Sequence, residues 1–299
     1  MEEKTIPVEQ SEVTPQIKRK RHFFLAVMGI ALAMILVGQI LGGILMGIVH
    51  GLLGEISGGV AFLFMYLEFI GIDALVILYC ALCEKPTLRE FGGARAGGMR
   101  GNTWKNFALG LLLGFGMNGV CILLAWLHGD IDLSVGRFEA VYLICALLCV
   151  CVQSGAEELV TRGYMMSALR QRYHAWVAIA VNSLFFGVLH LLNPGITVLS
   201  FLQIVLIGLA FSLIVYYLDS LWMCIAIHTA WNFTQNFLFG LPNSGIVSES
   251  SFLHLEGATN SLFYDAVFGI EGSVTGVVVV ALVAVAVILI GKKKPAVNE

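Results

Sequence analysis

From Val274 to Ile290 the chain carries no charged side chain and is built almost wholly of Val, Ala, Leu and Ile. A bilayer core about 30 Å thick needs roughly 20 such residues in one helix. β-Branched residues form helices poorly in water, but in lipid every backbone group must be paired within its own segment, so helix is still expected. Runs of this kind recur along the sequence. They predict eight spans, at approximately 23–49, 58–83, 104–127, 139–160, 175–193, 196–218, 221–239 and 273–290. Composition agrees, with 58% of the residues hydrophobic and 12% charged, where an ordinary soluble domain has about 25% charged. That leaves too little polar surface to coat a fold in water. The expectation is an all-α membrane protein, a polytopic bundle of about eight transmembrane helices. A soluble enzyme and a nucleic-acid binder are excluded as whole-chain descriptions.

Basic residues orient the bundle, because short cytoplasmic loops carry an excess of Lys and Arg. With the N-terminus inside, the inner segments hold Lys4, Lys18, Arg19, Lys20 and Arg21, then Lys85, Arg89, Arg95, Arg100 and Lys105, then Arg162, Arg170 and Arg172, and finally Lys292, Lys293 and Lys294. Arg137 alone of the 17 basic residues falls outside. Both termini are therefore expected in the cytoplasm of a multi-pass cell-membrane protein. Residues 1–22 read as a polar cytoplasmic tail, 23–291 as a single transmembrane helical domain, and 292–299 as a basic cytoplasmic tail. The basic, Gly-rich loop 84–103 suits a flexible stretch or a short interfacial helix. Loop 240–272 is acidic and lacks Lys and Arg. The first apolar run is too long for a cleavable signal peptide.

Seven cysteines all fall in apolar runs, where Cys behaves as a small hydrophobe. Gly114-Phe115-Gly116-Met117-Asn118-Gly119 fits a dinucleotide-binding pattern, but no strand precedes it and it lies within a span. It reads as close helix packing.

An ionisable residue at the bilayer centre costs roughly 2.5–3.5 kcal/mol on insertion scales, so each one points to function. Glu157-Glu158-Leu159-Val160-Thr161-Arg162 closes the fourth span. Glu158 and Arg162 are i,i+4 with the acid first, the better order for a helical ion pair. Glu157, about 100° round the helix, has no cation of its own. Taken alone, the cluster also fits a charged helix end. His190 follows Phe186 by four residues in the fifth span, and alone fits a core histidine. His228 and Asn232 lie one turn apart on one face of the seventh. Glu68 and Asp73, in the second span, have no evident partner. One carboxylate, two imidazoles and a carboxamide on three helices suit peptide-bond hydrolysis by an activated water, since Glu and His serve as general bases and His and Asn as oxyanion donors. HExxH, GxSxG and GxGD are all absent.

The three segments together resemble the CPBP family of intramembrane proteases, the CAAX-prenyl-processing and bacteriocin-processing (Abi) group. That family's pattern is EExxxR, FxxxH and HxxxN or HxxxD, here Glu157-Glu158…Arg162, Phe186…His190 and His228…Asn232 in the same order. The resemblance covers roughly 140–240, and the later FGIEGS is also similar. It implies that Glu157 and His190 activate water, that His228 and Asn232 hold the oxyanion, that Glu158 and Arg162 shape the site, and that Phe186 packs beside His190. The substrate would be a membrane-associated or lipidated peptide or protein, with membrane lipid as the surrounding partner. Glu157, His190 and His228 would also serve as a zinc set with one position left for water, but Asn232 suits oxyanion donation better than ligation, and the reading without a cofactor is preferred. The alternatives are a proton-coupled transporter using Glu68, Asp73, Glu157, His190 and His228, and a non-catalytic immunity-type protein of the same fold. Glu157, near the inner end of its span, can meet His190, near the outer end of its own, if the fourth helix is one long rod from about 139 to 171.

Overall fold

The computed structural model describes residues 23–54, 56 and 58–292. The tails assigned to 1–22 and 292–299 lie outside these, apart from the backbone of Lys292. Helix α1 (Phe24–Leu53) is followed by α2 (Gly58–Leu67) and α3 (Ile70–Cys83), which together make up the second span. They break at Glu68-Phe69, where α1 lies close: a Cβ at Gly42 would collide with the Glu68 carbonyl, and one at Gly38 with the Ile72 backbone. Small residues allow this approach of helix backbones in lipid. Helix α4 (Lys85–Phe91) is the short surface helix of the basic loop, and α5 (Trp104–His128) is the third span. The Thr103 side chain caps α5 by accepting from Asn106 N.

The fourth span runs past the boundary expected at 160. Helix α6 (Ala140–Glu158) continues through a π-helical segment, Leu159–Met165, into α7 (Met166–Arg170), one apolar rod from Ala140 to Arg170. That is the long helix the two motifs require. Glu157 then stands about 20 Å above Arg170, and His190 about 22 Å above Ala175, at 1.5 Å per residue. Arg162, counted above among inner-loop cations, is instead fully buried in the bundle, because the helix carries it inward.

Helix α8 (Ala175–Leu189) is short, α9 (Val198–Leu218) spans fully, and α10 (Leu221–Phe233) extends through a π-helical turn, Thr234–Leu238. Helix α11 (Val274–Lys292) is last. Among the described residues, six helical stretches are long and apolar enough to cross a membrane; Ala175–Leu189 is apolar but shorter, and the stretch through α10 carries His228, Asn232, Gln235 and Asn236. Large apolar side chains such as Leu25, Leu112, Leu148 and Leu282 face outward, as a lipid-facing surface requires.

At one end the loops carry Arg89, Arg95, Arg100 and Arg172. They are tied together by Trp222 Nε1 donating to Phe91 O (2.9 Å), Arg100 Nε to Asp219 Oδ2 (3.2 Å) and Phe24 N to the Tyr173 hydroxyl (3.2 Å). At the other end β1 (Ile131–Val135) pairs antiparallel with β2 (Leu253–Ala258), joining the α5–α6 and α10–α11 connections into a ribbon. Within the bundle, α5 lies against α10: a Cβ at Gly110 would sit 2.7 Å from Met223 O, and one at Gly114 2.5 Å from Ile227 O. Gly114 is therefore a packing glycine, as expected, whereas Gly116 and Gly119 face open space. All seven cysteines are free.

Candidate active site

The three motifs converge on one cavity of about 320 Å³. Helices α6, α8 and α10 supply Glu157, His190, His228 and Asn232 to its wall, α9 and α11 supply apolar residues such as Ile204, Val280 and Val283, and the ribbon-end loop supplies Asn243, Ser244 and Glu271.

The adjacent carboxylates have different surroundings. Glu158 is fully buried and its Oε1 receives Arg162 Nη1 at 3.0 Å. Arg162 also donates to Thr161 Oγ1 (2.9 Å) and to Gly208 O on α9 (3.1 Å), and its guanidinium lies over the rings of Phe186 (4.4 Å) and Phe211 (5.5 Å). Glu157 is 19% exposed to the cavity. Gln153, one turn earlier, donates to its Oε1 at 2.6 Å, while Oε2 has no hydrogen-bond partner. Asn232 in turn donates to Gln153 Oε1 at 3.1 Å, so a chain of amides links α10 to Glu157.

The histidines are held in distinct ways. His190 Nδ1 lies 2.8 Å from Phe186 O. A carbonyl can only accept, so Nδ1 carries a proton, and Nε2 is the ring nitrogen left to act as an acceptor in the neutral form. The Phe186 and His190 rings are 4.8 Å apart. His228 stands between the two acids, with Nδ1 3.1 Å from Glu158 Oε1 and Nε2 3.7 Å from Glu157 Oε2. As an imidazolium it would donate Nδ1–H to Glu158 and keep Nε2–H, which makes no hydrogen bond among the described residues, for another acceptor.

Among the described residues no three His, Cys, Asp or Glu side chains converge to hold a metal ion. Glu157, His190 and His228 all line the cavity, and the Nδ1 bonds of His228 to Glu158 and of His190 to Phe186 would leave each Nε2 for a metal, but the three side chains do not converge on one point. Glu68 accepts from Gln39 at 3.0 Å, and Asp73 Oδ1 is buried without a partner; neither lines the cavity.

Sequence reasoning missed Gln153, Trp231 and Glu271. Gln153 lies one turn before Glu157, a spacing that could have suggested it. Trp231 Nε1 donates to Glu271 Oε1 at 2.8 Å; Glu271 sits in the FGIEGS stretch and is brought to the cavity only by the tertiary fold.

Residues 139–234 match the family model described as type II CAAX prenyl endopeptidase Rce1-like. All three motifs lie within the match, which is consistent with the CPBP resemblance and, at the level of the family, with an intramembrane endopeptidase. No curated protein matches the chain.

Proposed function

We propose that this membrane protein, Rce1-like over 139–234, cleaves a peptide bond of a membrane-associated or lipidated peptide with water activated by Glu157 and His190 and without a metal ion. The observation that carries the reading is the division between the neighbouring acids: Arg162 holds Glu158, while Glu157 lines the cavity with no described arginine or lysine on it, its Oε2 without a hydrogen bond and 3.7 Å from His228 Nε2.

In this reading a water lies between the Glu157 carboxylate and His190 Nε2. Glu157 takes its proton as the water oxygen bonds to the scissile carbonyl carbon. The carbonyl oxygen, now anionic, is held by the His228 imidazolium and by the amide N–H of Asn232 not used on Gln153. As the intermediate collapses, the C–N bond breaks and the amine leaves with the proton from Glu157. Glu158 orients His228 through Nδ1, much as a buried acid orients a catalytic imidazole elsewhere. The apolar walls suit a hydrophobic or lipid-attached substrate.

The test is cleavage of a membrane-tethered reporter. Glu157→Gln, His190→Ala and His228→Ala should each lower the rate by about 10²–10⁴-fold with expression and melting retained. Activity unchanged in chelator is expected; activity lost there and restored by zinc would instead favour the ligand set. Wild-type rates in all three variants would overturn the protease reading.

A further inference from the structure

Glu271 belongs to none of the three motifs and lies outside the Rce1-like segment. It occupies the single helical turn Ile270–Gly272 just before α11, is 4% exposed and lines the cavity. It accepts from Trp231 Nε1 at 2.8 Å and from the Ser244 hydroxyl. Among the described residues no Lys, Arg or His pairs with it. A carboxylate has about four lone-pair sites, so two donors leave acceptor capacity unused. An acid buried without a cation is also costly, a cost that a bound cation would relieve.

A second residue points the same way. Asn243 is 6% exposed and lines the same cavity, and its side-chain amide has no protein hydrogen-bond partner among the described residues. Val280 and Val283 give the same cavity aliphatic lining. Acceptors with spare lone pairs in a cavity that also has aliphatic lining are complementary to a cationic head on a methylene stem.

We propose that Glu271 and Asn243 form a subsite for a Lys or Arg side chain of the peptide substrate. The proposal rests on reading the cavity as a peptide site, and it makes Glu271 a specificity residue for that site. Its test is binding rather than cleavage. Purified Glu157→Gln protein is titrated with labelled apolar peptides carrying one Lys at successive positions, each paired with a norleucine twin. The best Lys peptide should bind about tenfold more tightly than its twin, and Arg should substitute for Lys. In the Glu157→Gln/Glu271→Gln protein the ratio should fall below about twofold. Asn243→Leu, which leaves the bonds of Glu271 to Trp231 and Ser244 in place, should give an intermediate ratio. Equal binding of the twins, no binding of either, or a Lys preference that survives Glu271→Gln overturns the proposal. If Glu271→Gln does not fold, an unchanged preference in Asn243→Leu overturns it. Cleavage of the norleucine peptide by the unsubstituted protein reports separately on the catalytic reading.

Discussion

Arg162 shows how much of the site can hang on one side chain. It is the largest fully buried residue of the described chain, and it joins Glu158 on its own helix to the Gly208 carbonyl on α9 and to the face of Phe186 on α8. Replacing it with Met leaves only the His228 ring beside the buried Glu158 charge, a loss of up to about 3–5 kcal/mol. The melting temperature in detergent should fall accordingly, and Glu158→Gln added to Arg162→Met should recover part of it. Cleavage should not recover, because His228 Nδ1 would still lack its carboxylate. Recovery of cleavage in the double variant would mean that Glu158 serves packing alone. The ion pair was legible at this scale because i,i+4 spacing is a local property of helices. The partnership of Gln153 with Asn232, or of Trp231 with Glu271, was not, because residues far apart in sequence meet only once the helices pack.

Elements decide whether these side chains meet, and here the sequence was informative in one direction. The distance between Glu157 and the end of its apolar run demanded a rod longer than hydropathy alone would draw, and the rod is present. Its π-helical stretch at Leu159–Met165 was not legible: i→i+5 pairing has no local signature, and here it coincides with the anchoring of Arg162. The ribbon was missed although Ile131-Asp132-Leu133-Ser134-Val135 alternates, because so short an alternation competes with loop. Helix α10 carries both His228 and Asn232, and its opposite face rests on Gly110 and Gly114 of α5. Gly114→Val must push the Ile227 backbone away, whereas Gly116→Val enters open space. A displacement near 1 Å can cost about 10²-fold in rate. Reporter cleavage should therefore fall by that order in Gly114→Val and stay near wild type in Gly116→Val. Equal effects would show that α5 does not position α10.

Across the whole molecule the two ends differ in charge and in construction. Arg89, Arg95, Arg100 and Arg172 gather at one end, while the ribbon end carries Asp130, Asp132, Glu249, Glu256 and Asp265 with Arg137. We infer that the arginine-rich end is cytoplasmic. A membrane-impermeant maleimide added to intact cells should then label a cysteine placed at Ser250 and spare one placed at Arg95, and the reverse pattern would invert the topology. The ribbon end also has a titratable fastening. Asp130 is buried, which by itself would raise its pKa, but hydrogen bonds from Ser261 Oγ (2.6 Å) and with His128 (3.1 Å) outweigh burial and hold it below the usual aspartate value. A carboxyl whose folded value is depressed adds stability above its unfolded pKa and loses it as pH falls through the folded value. Asp130→Asn should therefore melt below wild type at neutral pH, with the gap narrowing once the pH drops below about 4. Thr259 N donates to the Asp130 carbonyl, so the same residue joins the α5 end to the segment after β2 through both its side chain and its backbone. Exchange of the β2 amides should rise over the same acid range in wild type and be already raised in Asp130→Asn at neutral pH. A gap that stays constant down to strongly acid pH would show that the carboxylate does not fasten the ribbon, leaving backbone pairing between β1 and β2 to hold it.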